Sequence, residues 1–200
     1  KETLTYENNA RNKVNFRYTD AQFWEINQFR FLEGKPYTER EILERKPVVV
    51  INQPTSHKLF GDETAIGKTI ELEWQNYEVV GIVEDVSILK IMSTADVWVP
   101  VSCCREDLEA YSLTGDFIAI ILARDKSDLP AIKSEVAWQL QQVEFQDKEY
   151  DSIVGGADTM LDSASRDIFD FDPDKKHFLI GMLLLVIILF MTLPALNLMN

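Results

Sequence analysis

The sequence predicts an α+β domain over residues 1–176, joined to one transmembrane helix over residues 177–200. Short runs of alternating apolar residues are interleaved with capped amphipathic segments, the pattern of strands and helices in one domain. Hydrophobic residues make up 46% of the 200-residue chain, enough to build a packed core. Every Asp, Glu, Lys and Arg lies in the first 176 positions, which leaves Phe178 to Met199 as 22 residues without a formal charge, 18 of them apolar.

The opening reads as a hairpin. Leu4 to Glu7 is followed by a turn-rich stretch, Asn8 to Asn12, and then by Lys13 to Thr19, in which Val14, Phe16 and Tyr18 alternate. Asp20 caps a short helix containing Phe23, Trp24 and Ile26. Phe29 to Gly34 leads into a polar loop with Pro36, and Thr38 with Glu41 three residues on forms a capping box. Val48 to Ile51 is an unbroken β-branched run of the kind buried on both faces, the expected central strand. A helix over Pro54 to Phe60 stops at Gly61. Lys68 to Trp74 then alternates, Gln75-Asn76 turns, and Tyr77 to Glu84 returns antiparallel. Asp96 to Val101 and Asp116 to Ala123 are expected to add two more strands. Ser127 caps a long helix reaching about Val143, with Leu129, Ile132, Val136 and Leu140 as its apolar stripe. Gly155-Gly156 precedes a polar helix, Asp158 to Asp167. No internal repeat or low-complexity tract is evident.

A helix of the last 22 residues is about 33 Å long, against a hydrocarbon core of roughly 30 Å. Phe178, Leu185, Leu193 and Met199 mark this span, and membrane lipid is its expected surroundings. Pro194 and Asn197 near its end suit an interface or a neighbouring helix that re-satisfies the backbone. Lys175 and Lys176 would by themselves place the preceding domain in the cytoplasm. Large domains, however, cross membranes largely regardless of charge. The sequence begins at Lys1 with no basic stretch leading into an apolar run, so it is expected to be a piece of a longer protein without a signal peptide of its own.

A net charge of −13 disfavours nucleic acid and anionic lipid as partners of the polar part, since both need a basic face. Gly61 to Thr69 imitates a phosphate loop but fails in geometry. Five residues separate Gly61 from Gly67, two of them acidic, and a strand pattern follows where a helix is required. Asp170, Asp172 and Asp174 mimic the start of a calcium loop, yet Lys175 and Gly181 stand where Gly and Glu are needed. Of the two histidines, His57 lies beside Ser56 on a helix, where neighbours do not face each other, and His177 is far away in sequence. Glu84-Asp85 has no second carboxylate assignable to it. No catalytic residue, cofactor site or metal site is expected. Trp24, Trp74, Trp98 and Trp138 are read as core, with a binding groove lined by one or two of them left open, and the adjacent Cys103 and Cys104 as two inert thiols, with a strained vicinal disulfide as the alternative.

Several stretches together resemble the MacB-type periplasmic core domain of FtsX-like ABC transporter permeases. They are FWEINQFRFLEGKPYTERE, VVVINQPTSHKLFGDETAIGKTIEL, YEVVGIVEDV and TADVWVPVS, in that order, followed by a long helix and the hydrophobic span. The match is strong from about Phe23 to Val101. Lys35 stands where the family usually has Arg, a change expected to be harmless. The resemblance implies an extracytoplasmic domain inserted between the first and second membrane helices of a permease, with a mixed α/β part and a β-rich part. Phe178 to Met199 would be the second helix, in the inner (cytoplasmic) membrane, with residues 1–176 on the periplasmic side. It implies a permease dimer, a cytoplasmic ABC ATPase that binds the ATP, and a periplasmic accessory protein as partners. Motion driven by ATP would be transmitted to the outer domains for export or envelope maintenance. The family's motifs are structural, so no catalytic role is carried over.

Two other readings share parts of this pattern. A ligand-sensing ectodomain of a membrane signalling receptor also sets an α/β domain against a membrane helix. A membrane-anchored hydrolase is disfavoured by the missing nucleophile and base.

Overall fold

The structure, a computed structural model, describes residues 2–7, 10–85, 93–105, 117–145, 153, 155–163 and 176–198. The chain divides into two compact units, Lys1–Leu122 and Ala123–Asn200. The first is a mixed α/β unit built on a seven-stranded mixed sheet.

The opening hairpin forms as expected, β1 (Glu2–Glu7) antiparallel to β2 (Ala10–Thr19), with Glu7 opposite Ala10. Pairing therefore begins three residues before Lys13. Asp20 starts α1 (Gln22–Asn27), its Oδ1 accepting from the Phe23 N–H at 2.8 Å. Phe31–Gly34, in the stretch leading to the polar loop and without an expected structure of its own, is a strand, β3. The Thr38–Glu41 capping box opens α2 (Glu39–Leu43). The valine-rich run is β4 (Val48–Asn52), wholly buried between β6 and β7. Asn52 caps α3 (Gln53–Phe60), and Gly61 ends it at φ +64°.

The next hairpin differs from expectation. β5 (Thr69–Leu72) and β6 (Gln75–Val83) pair with Leu72 opposite Gln75, so the turn is Glu73-Trp74 and Gln75-Asn76 already belongs to the returning strand. Ile70 and Leu72 point inward as the alternation requires, and the chain reverses one step before Trp74 could follow them. β7 (Val97–Pro100) forms as expected and continues into a 3-10 turn, Val101–Cys103.

The sheet order is β3-β6-β4-β7-β2-β1-β5, and β5 also pairs with β6. The sheet therefore closes on itself, with β3 attached outside the ring on the same edge of β6 that β5 uses further along. β2–β7 and β4–β6 are parallel, and the remaining pairs are antiparallel. Side-chain parity then sorts the residues into two cores. Val49, Ile51, Val97, Val99, Ile70, Leu72, Tyr77, Val79, Val14 and Phe16 pack on one face, with Leu59 and Phe60 of α3. Val48, Val50, Trp98 and Val83 face the other way, against Phe23 and Trp24 of α1 and Tyr37. Trp24 is the hub of this second core, with rings of Phe31, Tyr37 and Trp98 within 5.8 Å of it, centroid to centroid.

The strand expected at Asp116 to Ala123 is not found. Asp116 lies outside the described residues, and 117–123 has no regular structure. No described strand pairs with it, so its backbone groups lack the ladder a strand needs. Phe117, Ile118, Ile121 and Leu122 are exposed, and Ile120 alone packs onto the second core.

In the second unit, α4 (Leu129–Gln141) is the long helix. A 3-10 turn, Lys126–Asp128, leads into it, capped by Asp125, whose side chain accepts from the Ser127 N–H at 2.8 Å; the residue at the N-terminus of α4 is Asp128, without a side-chain cap bond, so the cap expected at Ser127 is not found. Ile132, Val136 and Leu140 are half-buried, as the stripe requires, whereas Trp138 is exposed. Residues 160–163 form a short helix, α5, entered through Thr159, whose Oγ1 accepts from the Asp162 N–H at 3.2 Å. The rest of the expected Asp158 to Asp167 helix lies outside the described residues. α6 spans Lys176–Leu198.

Candidate functional site

The chemistry-bearing positions fall at places where the fold accounts for them. Gly67, at φ +77°, donates its N–H to Val79 O at 2.9 Å, so the loop that imitates a phosphate cradle feeds a strand pair. Lys68 pairs with Glu63 and lies 4.9 Å from the centre of the Phe60 ring. His57 is exposed at the end of α3, its Nδ1 3.2 Å from Gly61 O and 3.6 Å from Asp62. Ser56 is buried and points elsewhere from His57, as neighbours on a helix must. Glu84 faces Arg30 at 3.5 Å. Asp170, Asp172 and Asp174 lie outside the described residues, as does the side chain of His177. Among the described residues no group of three or more His, Cys, Asp or Glu could hold a metal ion. Cys103 and Cys104 are free thiols. Burial pushes the Cys103 thiol up from its ordinary range.

Two of the four tryptophans expected in the core, Trp74 and Trp138, are exposed instead. Trp74 is 81% exposed, and it forms with Glu73 a two-residue turn in which both have positive φ, +49° for Glu73 and +67° for Trp74. Such turns favour Asn and Gly, because a Cβ in the left-handed region costs roughly 1–2 kcal/mol per residue. The turn is held from the core side. The Tyr18 hydroxyl donates to Glu73 Oε2 at 3.4 Å, and the Tyr18 ring packs edge-on against Phe16 at 5.3 Å. Burial, and then the nearby Glu73 carboxylate, push the Tyr18 phenol well above its ordinary range, so it stays a donor. The signal available in the sequence was Leu72-Glu73-Trp74-Gln75 itself, but Trp74 continues the alternation of Ile70 and Leu72 and so hides the turn.

In the second unit, Asp162 is 2% exposed and accepts from Lys133 Nζ of α4 at 3.1 Å and from the Thr159 N–H at 3.4 Å. This ties α5 to α4. Of the residues that mark the expected span, Phe178 and Leu193 lie in the α6 backbone, Leu185 is exposed on α6, and Met199 is outside the described residues. Side chains are described over 180–192 of α6, all of them exposed. Among the described residues no helix is long and apolar enough to cross a membrane.

Residues 2–137 match the family described as the MacB-like periplasmic core domain. The chain is similar to the uncharacterized ABC transporter permease YknZ of Bacillus subtilis (strain 168), 21% identical over 106 residues, 53% of this chain and 26% of that protein. It is 27% identical over 97 residues to the macrolide export ATP-binding/permease protein MacB of Pasteurella multocida (strain Pm70), 48% of this chain and 15% of that one. The crystal structure of the periplasmic region of MacB from Actinobacillus actinomycetemcomitans aligns with a TM-score of 0.47 at 18% identity, over 56% of this chain and 50% of that one. The chain thus spans about a quarter or less of the length of these two relatives.

Proposed function

The chain belongs to the MacB-like periplasmic core domain family, and on that premise we propose that it is the outer domain and one membrane helix of an ABC transporter permease subunit. Residues 1–176 stand on the periplasmic side of the inner membrane as an outer domain of two parts. Residues 177–200 cross the bilayer as the permease's second helix, with Phe178, Leu185, Leu193 and Met199 along it. The subunit dimerises, engages a cytoplasmic ABC ATPase that supplies the ATP site, and transmits the motion of ATP hydrolysis to the outer domain. The work is export or envelope maintenance, with a periplasmic accessory protein as a further partner.

The observation that carries this reading is the family match over 2–137, which takes in the whole described sheet of the first unit. The construction of that unit supports it. A closed sheet packed on both faces is stiff, because its interior is filled and its strands are paired around a ring, and a stiff body moves as one when pushed. The buried Asp162–Lys133 contact joins α5 to α4 in the second unit, the unit that also contains α6.

The test is the sidedness of the domain in the full-length protein. Asp62 has a fully exposed side chain, so an Asp62→Cys variant with Cys104→Ala presents one accessible thiol on the first unit. Labelling by a membrane-impermeant maleimide in cells with an opened outer envelope and intact inner membrane is the expected result. Labelling only after the inner membrane is broken would sink the reading.

A further inference from the structure

We infer that Cys103 and Cys104 are a redox modification site, closing reversibly into a disulfide between neighbouring residues by exchange with a disulfide-bearing oxidant. This goes beyond the transporter reading and is tested apart from it. The backbone at the pair is the first observation. Cys103 ends the 3-10 turn that follows β7, and Cys104 comes next with extended backbone, φ −62° and ψ 132°. Neighbours within a strand point to opposite faces, and neighbours within a helix do not face each other. A helical residue followed by an extended one, the backbone of a type VIII turn, escapes both patterns and lets two adjacent sulfurs approach across a trans peptide. The second observation is where the sulfurs lie. Both are felt electrostatically at the Tyr77 hydroxyl, which sets them on a common side of the chain.

The two thiols divide the chemistry between them. Cys104 is half-buried and open to a reagent, whereas Cys103 is buried and its Sγ donates to Lys46 O at 3.5 Å. Burial raises the Cys103 thiol, and the Arg45 charge acts in the opposite sense. The Cys104 thiolate therefore attacks the oxidant's disulfide first, forming a mixed disulfide and releasing one thiol of the oxidant. Cys103 then loses its proton and attacks Cys104 Sγ, releasing the other. The pair gives up two electrons and two protons, and the oxidant's disulfide becomes two thiols. Closure ends the bond to Lys46 O, because the bridged sulfur has no proton left to donate. It also stores strain, since neighbouring Cα atoms are about 3.8 Å apart, below the roughly 4.4 Å at which ordinary disulfides begin. A strained and accessible disulfide is readily reduced, so the site opens and closes instead of acting as a permanent staple.

The experiment uses the full-length protein, purified in its reduced form and treated with an excess of oxidised glutathione, and reads the mass of the peptide that carries both cysteines. The expected result in the parent is a peptide lighter by two hydrogens, with no glutathione retained and no cross-linked copies. In Cys103→Ser the glutathione adduct stays on Cys104, and in Cys104→Ser the buried Cys103 is left unmodified. Reduced glutathione reopens the parent's bond at concentrations that leave an ordinary structural disulfide closed. The proposal is overturned by two unmodified thiols in the parent, by an adduct that persists there, by cross-linking of copies through Cys104 as the main product, or by a bond that resists reduced glutathione.

Discussion

Gly34 and Gly81 stand opposite one another across the β3–β6 pair, and each occupies a place that a side chain could not share with the backbone around it. Gly34 is at φ +65°, and a Cβ there would lie 2.1 Å from Val80 O. A Cβ on Gly81 would lie 2.6 Å from Lys35 O and 2.8 Å from the Phe31 ring. Gly34→Ala and Gly81→Ala should each cost about 2–4 kcal/mol, since both push on backbone that cannot yield. Gly61→Ala, at a similar φ but with open space around it, should cost only about 1–2 kcal/mol. Urea unfolding of the three variants checks the ranking, and a Gly61 effect equal to the other two would contradict it.

Asn52 and Asp96 form a second joint. Asn52 Oδ1 accepts from the Thr55 N–H at 2.8 Å to cap α3, while its Nδ2 donates to Asp96 Oδ1 at 3.2 Å. Asp96 Oδ2 accepts from the Asn15 N–H at 2.8 Å, so the pair links β2, the end of β4 and the start of β7. Asn52→Ala should lower stability by about 1–2 kcal/mol through the lost cap. The effects of Asn52→Ala and Asp96→Ala should be less than additive, because they share one contact. Thermal unfolding of both single variants and the double variant measures this.

Glu41 gives a pH signature. Its carboxylate accepts from the Thr38 N–H at 2.9 Å and from Thr38 Oγ1 at 2.8 Å, and the backbone bond to Thr38 holds its pKa below the usual 4.5. A carboxylate depressed on folding adds stability above its unfolded pKa and loses it as pH falls through the folded one. Glu41→Gln should therefore reduce stability at neutral pH by a fraction of a kcal/mol and reduce it less below about pH 4, the box being exposed. Parallel stability curves down to acid pH would show the contribution is absent.

The segment 117–122 separates packing from exposure along one stretch. Ile120 packs against the second core, whereas Ile118 and Ile121 are exposed. Ile120→Ala should cost about 1–2 kcal/mol, while Ile118→Ser and Ile121→Ser should stay within about 0.5 kcal/mol of the parent. Equal losses at all three would mean that the segment is a packed strand after all.

Much of the first unit was legible because its signals are local. Asp20, the Thr38–Glu41 box, the Val48 to Ile51 run and the stop at Gly61 each act within a few residues, and each formed where the sequence placed it. Closure of the sheet was not legible, because β5 meets both β1 and β6 through pairings such as Thr5 with Leu72 that no local pattern announces. Trp24 and Trp98 were read correctly as core. Trp74 and Trp138 were misread for a common reason: periodicity reports where a side chain falls along an element, and says nothing of whether the element has turned or found a cover there. The family motifs were readable as sequence, and their physical content, such as the Gly34–Gly81 approach, appears only once β3 lies on β6.

The proposed movement of this domain by an ATPase across the membrane is read from a distance. The full-length Asp62→Cys, Cys104→Ala protein, purified with its ATPase subunit and spin-labelled, reports the separation between the outer domains of two protomers. A distance that changes between the nucleotide-free and ATP-bound assemblies is the predicted result. An unchanged distance in an assembly that hydrolyses ATP would contradict the account.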